Sequence, residues 1–200
     1  MASISLKYKS KQGTLTAPGD VDLGAMIPIA TTTVGAGGSS TITFSSIPQN
    51  YEHLQIRWLS RDSAADTGVQ NVVASFNSDT TYTNYRTHYL TGDGSSATAG
   101  DLQLSGLYVS AGLNVSNNAT ANIFGVSIMD ILDYQNTNKY KTVRTLTGID
   151  LNGTGGQVRL ASSLWMNSAA ISSITLNVRS SGNFTQYSSF ALYGIKRAGA

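Results

Sequence analysis

Apolar and polar residues alternate along most of this chain. In "EHLQIRW" Leu54, Ile56 and Trp58 share one parity and His53, Gln55 and Arg57 the other, the mark of a strand with one buried face. "NVVASFN" places Val72, Ala74 and Phe76 on one side, and "TYTNYRTHYL" sets Tyr85 and Tyr89 against Asn84, Arg86 and His88. The same rhythm runs through "YKTVRTLTGI", "QVRLASSLWM", "ISSITLNV" and "SFALYGIK", each bounded by Gly, Asn or Ser clusters, for about nine strands after Gly38. "NIFGVSIMDILDY" differs in being apolar on both parities, Phe124, Val126 and Ile128 against Ile123, Met129 and Ile131. That pattern predicts a central strand covered on two sides, and Gly125 within it argues against a helix. Strands so evenly spaced predict an all-β fold, an antiparallel β-sandwich of jelly-roll or Greek-key type.

Two segments break the rhythm. Thr91 to Thr120 is too long for a hairpin and carries its own apolar cluster of Leu102, Leu104, Leu107 and Tyr108, which predicts an excursion loop with a short turn of helix or strand. Residues 1–27 hold few branched apolar side chains and place Lys7, Lys9 and Lys11 at period two. They read as an extended N-terminal arm that orders against a partner, with Lys7, Tyr8, Lys9 and Lys11 as the contacts, ahead of a single sandwich domain over 28–200.

Composition narrows the function. The 200 residues include no cysteine, so neither a disulfide framework nor a thiolate metal site is available. The first residues lack the apolar core of a signal peptide and no apolar run approaches a membrane span, so the expectation is synthesis in the cytoplasm and no membrane partner. Thirteen basic and eleven acidic side chains leave a net charge of +2, too sparse and balanced for a nucleic-acid partner.

Candidate chemistry is thin. Glu52 is the only glutamate and stands beside His53, one of two histidines. Neighbours in a strand point to opposite faces, so the two are expected not to converge, and they read as a solvated strand start after the corner at Pro48 and Asn50. With no G-x-S-x-G elbow, no catalytic residue is assigned and the chain is read as not an enzyme. Asp62, Asp66, Asn77 and Asp79 offer oxygen ligands without EF-hand spacing and read as turn caps, so no metal is assigned. The glycine-rich "TVGAGGSS" and "LNGTGGQ" precede neither a helix nor a Lys-Ser pair; they read as hairpin turns, and no cofactor is expected. The tyrosines stand out. Tyr82, Tyr85, Tyr89 and Tyr108, with Tyr134 and Tyr140, exceed the needs of one core and suit an interface or a sugar platform, with plain core packing as the alternative.

Two phrases carry a resemblance. "FSSIPQNYEHLQIRWLSR" fits F-x-x-I-P-x-x-Y-x-x-L-x-I through Phe44, Ile47, Pro48, Tyr51, Leu54 and Ile56. "SSFALYGIK" fits S-x-F-x-L-Y-G-I through Ser188, Phe190, Leu192, Tyr193, Gly194 and Ile195. With "SLKYKSKQGTLTAPGDVDLGAMIPIA" ahead of them, the chain resembles the small structural proteins of tailed bacteriophages, in which such phrases bracket a β-sandwich. The resemblance implies a virion protein, with capsid decoration (cement) as the leading role and the major capsid protein as partner. A homo-oligomer, expected to be a trimer, would make the grip multivalent. The alternative is a tail or head-fibre adhesin binding host surface glycan through Tyr82, Tyr85, Tyr89 and Tyr108. Third comes a virion-attached hydrolase.

Overall fold

The computed structural model describes residues 9–10, 13–14, 25–65, 68–102, 108–153, 155–179 and 182–197. Among these there is no α-helix, only one 3-10 turn at Tyr82–Asn84. Two antiparallel sheets pack face to face. The larger has eight strands, in spatial order β3 (Met26–Thr33), β14 (Ser189–Ile195), β5 (His53–Ser60), β10 (Gly125–Ile131), β11 (Lys141–Asp150), β12 (Gly156–Trp165), β7 (Tyr85–Gly92) and β8 (Ala97–Leu102). The smaller runs β4 (Thr41–Phe44), β13 (Ile174–Val178), β6 (Val69–Phe76) and β9 (Val109–Val115). A two-residue ladder, β1 (Lys9–Ser10) with β2 (Gly13–Thr14), precedes them. The chain is thus the all-β antiparallel sandwich that the alternation predicts.

The inward parity of each strand builds the core. Leu54, Ile56 and Trp58 of β5, Met129 and Ile131 of β10, Val143 of β11 and Trp165 of β12 meet Phe44, Val72, Ala74, Phe76, Ile174 and Leu176 from the smaller sheet. All of them are buried. Burial of such side chains contributes about 1.5–3 kcal/mol each and is the main term favouring the fold.

The two phrases behind the resemblance form one structural unit. β5 pairs directly with β14, placing Leu54 beside Gly194, Ile56 beside Leu192 and Trp58 beside Phe190. Glu52 N–H donates to Ile195 O at 2.8 Å, and the Tyr51 ring lies so close over Gly194 that a Cβ there would sit 2.4 Å from it. Only glycine allows that approach.

Three expectations are corrected. The Thr91–Thr120 stretch is not one excursion loop: β8 and β9 lie within it, so eleven strands rather than nine follow Gly38. β10 is not covered on two sides, because Val126 and Ile128 face outward and Val126 is exposed. The body starts before residue 28, since Met26 and Ile27 of β3 pair with Ile195 and Gly194.

β9 explains why the interior holds so many hydroxyls. It is an edge strand of the smaller sheet, yet buried along its whole length. Hydroxyls from the larger sheet reach its backbone: Thr87 Oγ1 accepts from Ser110 N–H and Thr147 Oγ1 from Leu113 N–H, both at 3.3 Å, while Thr145 and Ser127 donate to Ser110 O and Leu113 O, both at 3.4 Å. Buried backbone groups must find such partners, and here side chains supply what a fifth strand would. Gly112, at φ +149°, lets the strand come down onto Ser127 and Thr147, whose oxygens would lie 2.5 and 2.7 Å from any Cβ at that position.

Candidate functional site

Glu52 and His53 do come together with a third group. Glu52 sits in the bend before β5 rather than in the strand, so the two-residue alternation does not separate it from His53. The turn after β10 brings in Asp133, and the ligating atoms of Glu52, His53 and Asp133 lie within 4.8 Å of one another. Glu52 and Asp133 line a basin of about 830 Å³ at one end of the sandwich, walled by Asn50, Tyr51, Gln135, Asn138, Lys196 and Arg197. The expectation that Glu52 and His53 could not converge is therefore corrected. Sequence reasoning missed Asp133, Lys139 and Arg197 altogether; the cue for the turn was "DYQNTNK", in which Asp133 adopts a left-handed φ of 48°.

The contacts of these groups decide what they can do. His53 Nδ1 accepts a hydrogen bond from the Asp133 backbone N–H at 3.0 Å, which assigns the ring proton to Nε2. Its 3.5 Å approach to Asp133 Oδ1 is then a contact between two acceptors, not a shared proton. Asp133 forms an ion pair with Lys139, and Glu52 faces Arg197 Nε at 3.6 Å. The Lys139 hydrogen bond, more than any other influence, holds the Asp133 carboxyl below its ordinary range. Among the described residues, no hydrogen bond of His53 reaches a hydroxyl. The cluster sets two paired carboxylates beside an imidazole whose Nδ1 is used as an acceptor.

Three of the four candidate oxygen ligands, Asp62, Asn77 and Asp79, accept hydrogen bonds within turns. Asp79 accepts from Trp165 Nε1 at 2.8 Å, Asn84 Nδ2 at 2.9 Å and Thr81 N–H at 2.9 Å. Burial pushes its carboxyl up, but the hydrogen bonds from Trp165, Asn84 and Thr81 outweigh it and hold the group below the usual 3.8. Asn77 Oδ1 accepts from Ser172 N–H, Ser172 Oγ and Ser173 N–H. Asp62 is fully buried and accepts from Ala64 N–H at 2.7 Å. Asp66 lies outside the described residues.

No family model, no curated protein and no solved structure matches this chain.

The tyrosines do not form a platform. Tyr85 was a candidate surface residue and is buried: its ring stacks with Trp165 at 6.4 Å, and its hydroxyl donates to Asp79 O and accepts from Phe76 N–H. Burial raises that hydroxyl's pKa strongly. The cause is parity, since Tyr85 shares the inward face of β7 with Thr87. Tyr108 packs edge-on against Tyr85 at 5.6 Å, and the Arg159 guanidinium covers the Tyr89 ring at 4.7 Å. Tyr134 is buried and donates to Pro48 O. Only Tyr82 and Tyr140 of the six stand well exposed, one opening the 3-10 turn and the other just before β11. Of the arm contacts, Lys7, Tyr8 and Lys11 lie outside the described residues; Lys9 is described only as backbone in β1.

Proposed function

We propose that this chain is a non-enzymatic structural protein of a tailed-phage virion, which decorates the capsid and stabilises it by bridging neighbouring copies of the major capsid protein. What supports the reading, beyond the resemblance, is where the chain's reactive-looking groups are used. Asp79, Asn77 and Asp62 hold turns, His53 and Glu52 are tied to the basin wall, and Tyr85 and Tyr134 fill the core. What is left facing outward is area, and added contact area is what a cement protein supplies. Self-association would multiply weak contacts without new chemistry. The adhesin reading has less support, since Tyr85 is buried and Tyr89 lies under the Arg159 guanidinium.

In this account the arm, with Lys7, Tyr8, Lys9 and Lys11, grips acidic capsid surface. Because β3 begins at Met26, a truncation that tests this must end at Gly24. The truncated protein is expected to keep its strand circular dichroism and melting temperature yet fail to co-sediment with particles that lack their native copy. Co-sedimentation equal to that of the full chain would overturn the role of the arm.

A further inference from the structure

The outer face of the eight-stranded sheet carries the least expected surface on the molecule. Leu59 of β5, Val126 of β10, Leu146 of β11, Val158 and Leu160 of β12 and Leu90 of β7 all point away from the core, each between 46 % and 59 % exposed. They are not scattered. The pairing registers align them in two neighbouring rows across five adjacent strands, one through Leu59, Val126, Gly148 and Val158, the next through Arg57, Ile128, Leu146, Leu160 and Leu90. Single exposed leucines are ordinary, whereas a contiguous apolar band across a sheet marks a contact surface. "NIFGVSIMDILDY" already has the pattern of a strand covered on both sides, yet among the described residues only one side of β10 is covered.

We propose that a second copy of this chain covers it, the two large sheets stacking about a two-fold axis that runs parallel to the strands between β10 and β11. The proposal does not rest on the virion reading. Three observations select a copy rather than an unlike partner.

The first is shape. The half of the sheet holding β11, β12 and β7 bears the ridge of Leu146, Leu160 and Leu90. The half holding β3, β14 and β5 bears a groove of about 530 Å³, floored by the small Ser189 and Ala191. The strand order places four strands on each side of the axis, so the operation exchanges the halves and lays each ridge over the partner's groove. Before allowance for the usual tilt between packed sheets, Ile128 then faces Leu146, Leu59 faces Val158, Val126 faces Gly148 and Ala191 faces Leu90.

The second is charge. Arg57, Arg86 and Arg144 are balanced on this face by Asp101, Asp130 and Asp150, so it meets a copy of itself without net repulsion. In the row beside the apolar band Asp130 lies next to Arg144, at 3.0 Å within the chain. The same axis sets Asp130 of each copy over Arg144 of the other, giving an alternating square of four charges. The third is area. Eight strands about 4.8 Å apart, with about seven residues at 3.3 Å each, make a face on the order of 900 Å², against the roughly 800 Å² per partner of a stable interface. Isologous contacts of this kind are the commonest way a chain pairs with itself.

The test uses the full chain in sedimentation equilibrium across the micromolar range. The wild type is expected at twice the 21.1 kDa chain mass. Asp130→Arg alone and Arg144→Asp alone put like charges over one another and are each expected to sediment as monomers, with circular dichroism unchanged. Mixing the two variants in equal amounts restores opposite charges across the axis, and the doubled mass is expected to return as a one-to-one heterodimer. A misfolded variant could not be rescued in this way. A monomeric wild type, or a dimer indifferent to both substitutions, would overturn the proposal; in the first case the face is left to an unlike partner such as the capsid surface.

Discussion

Arg61→Met is expected to lower the unfolding free energy by about 3 kcal/mol, and the melting temperature by roughly 6–12 °C for a chain of this size. Arg61 follows β5 and is nearly buried, and it makes no ion pair with an acid among the described residues. Its guanidinium donates instead to four carbonyls of one loop, Nη1 to Thr120 O at 2.8 Å and Ile123 O at 3.2 Å, Nη2 to Asn117 O at 3.1 Å and Ala119 O at 2.7 Å. The planar fork thereby fixes the connection between β9 and β10. Methionine fills much of the volume but leaves those carbonyls without donors, and an unsatisfied buried acceptor costs about 1–3 kcal/mol. Arg61→Lys is expected to recover only part of the loss, because an ammonium cannot span four acceptors in that geometry. Thermal denaturation followed by circular dichroism reads all three proteins, and a change below about 1 kcal/mol in the methionine variant would mean that water replaces the clamp.

Lys141→Met is expected to cost about as much, again on the order of 3 kcal/mol. The residue begins β11 with its side chain on the core side, fully buried. Its ammonium donates to Asn136 O at 2.6 Å, Lys139 O at 3.1 Å and Ser168 O at 2.9 Å, closing the turn that carries Asp133 and tying it to the segment after β12. Burial pushes its pKa down, yet three carbonyls at these distances hold the proton in place. The loss should appear in chemical denaturation as a lower midpoint with an unchanged slope. Because the same turn supplies Asp133, the variant should also loosen the basin, and amide exchange at 133–140 should quicken well beyond that of β5. Uniform quickening across the sandwich would instead mean that the clamp acts on global stability alone.

Much of the fold was legible because the strands obey one rule. β5, β6, β11, β12 and β14 fall where the alternation places them, within a residue or two, while β7 and β13 begin four and three residues later than the stretches that announce them. β9 was missed although Val109, Ala111, Leu113 and Val115 share one parity in "VSAGLNV", because Ser110, Gly112 and Asn114 between them read as turn residues. Those small polar residues are there to admit the hydroxyls of the larger sheet, a tertiary requirement that no local pattern announces. Tyr85 was misplaced for the opposite reason: the composition drew attention to tyrosine, while the parity of β7 already pointed it inward. Glu52 defeated the alternation rule by lying one residue outside the strand, where a bend and a distant turn decide its neighbours. The outer apolar band was half visible. The double-sided pattern of β10 showed that its outward residues are apolar too, but only the registers with β5, β11, β12 and β7 join them to leucines from four other segments.

In the role proposed above, the chain works by covering surface, as a decoration of the phage shell. The most direct measurement is the number of copies per purified virion, by quantitative mass spectrometry against the major capsid protein. A ratio comparable with that of the shell protein is the predicted result and would make the sandwich a repeating clamp. A few copies per particle, in one symmetric set, would contradict it and move the chain to the tail or a fibre.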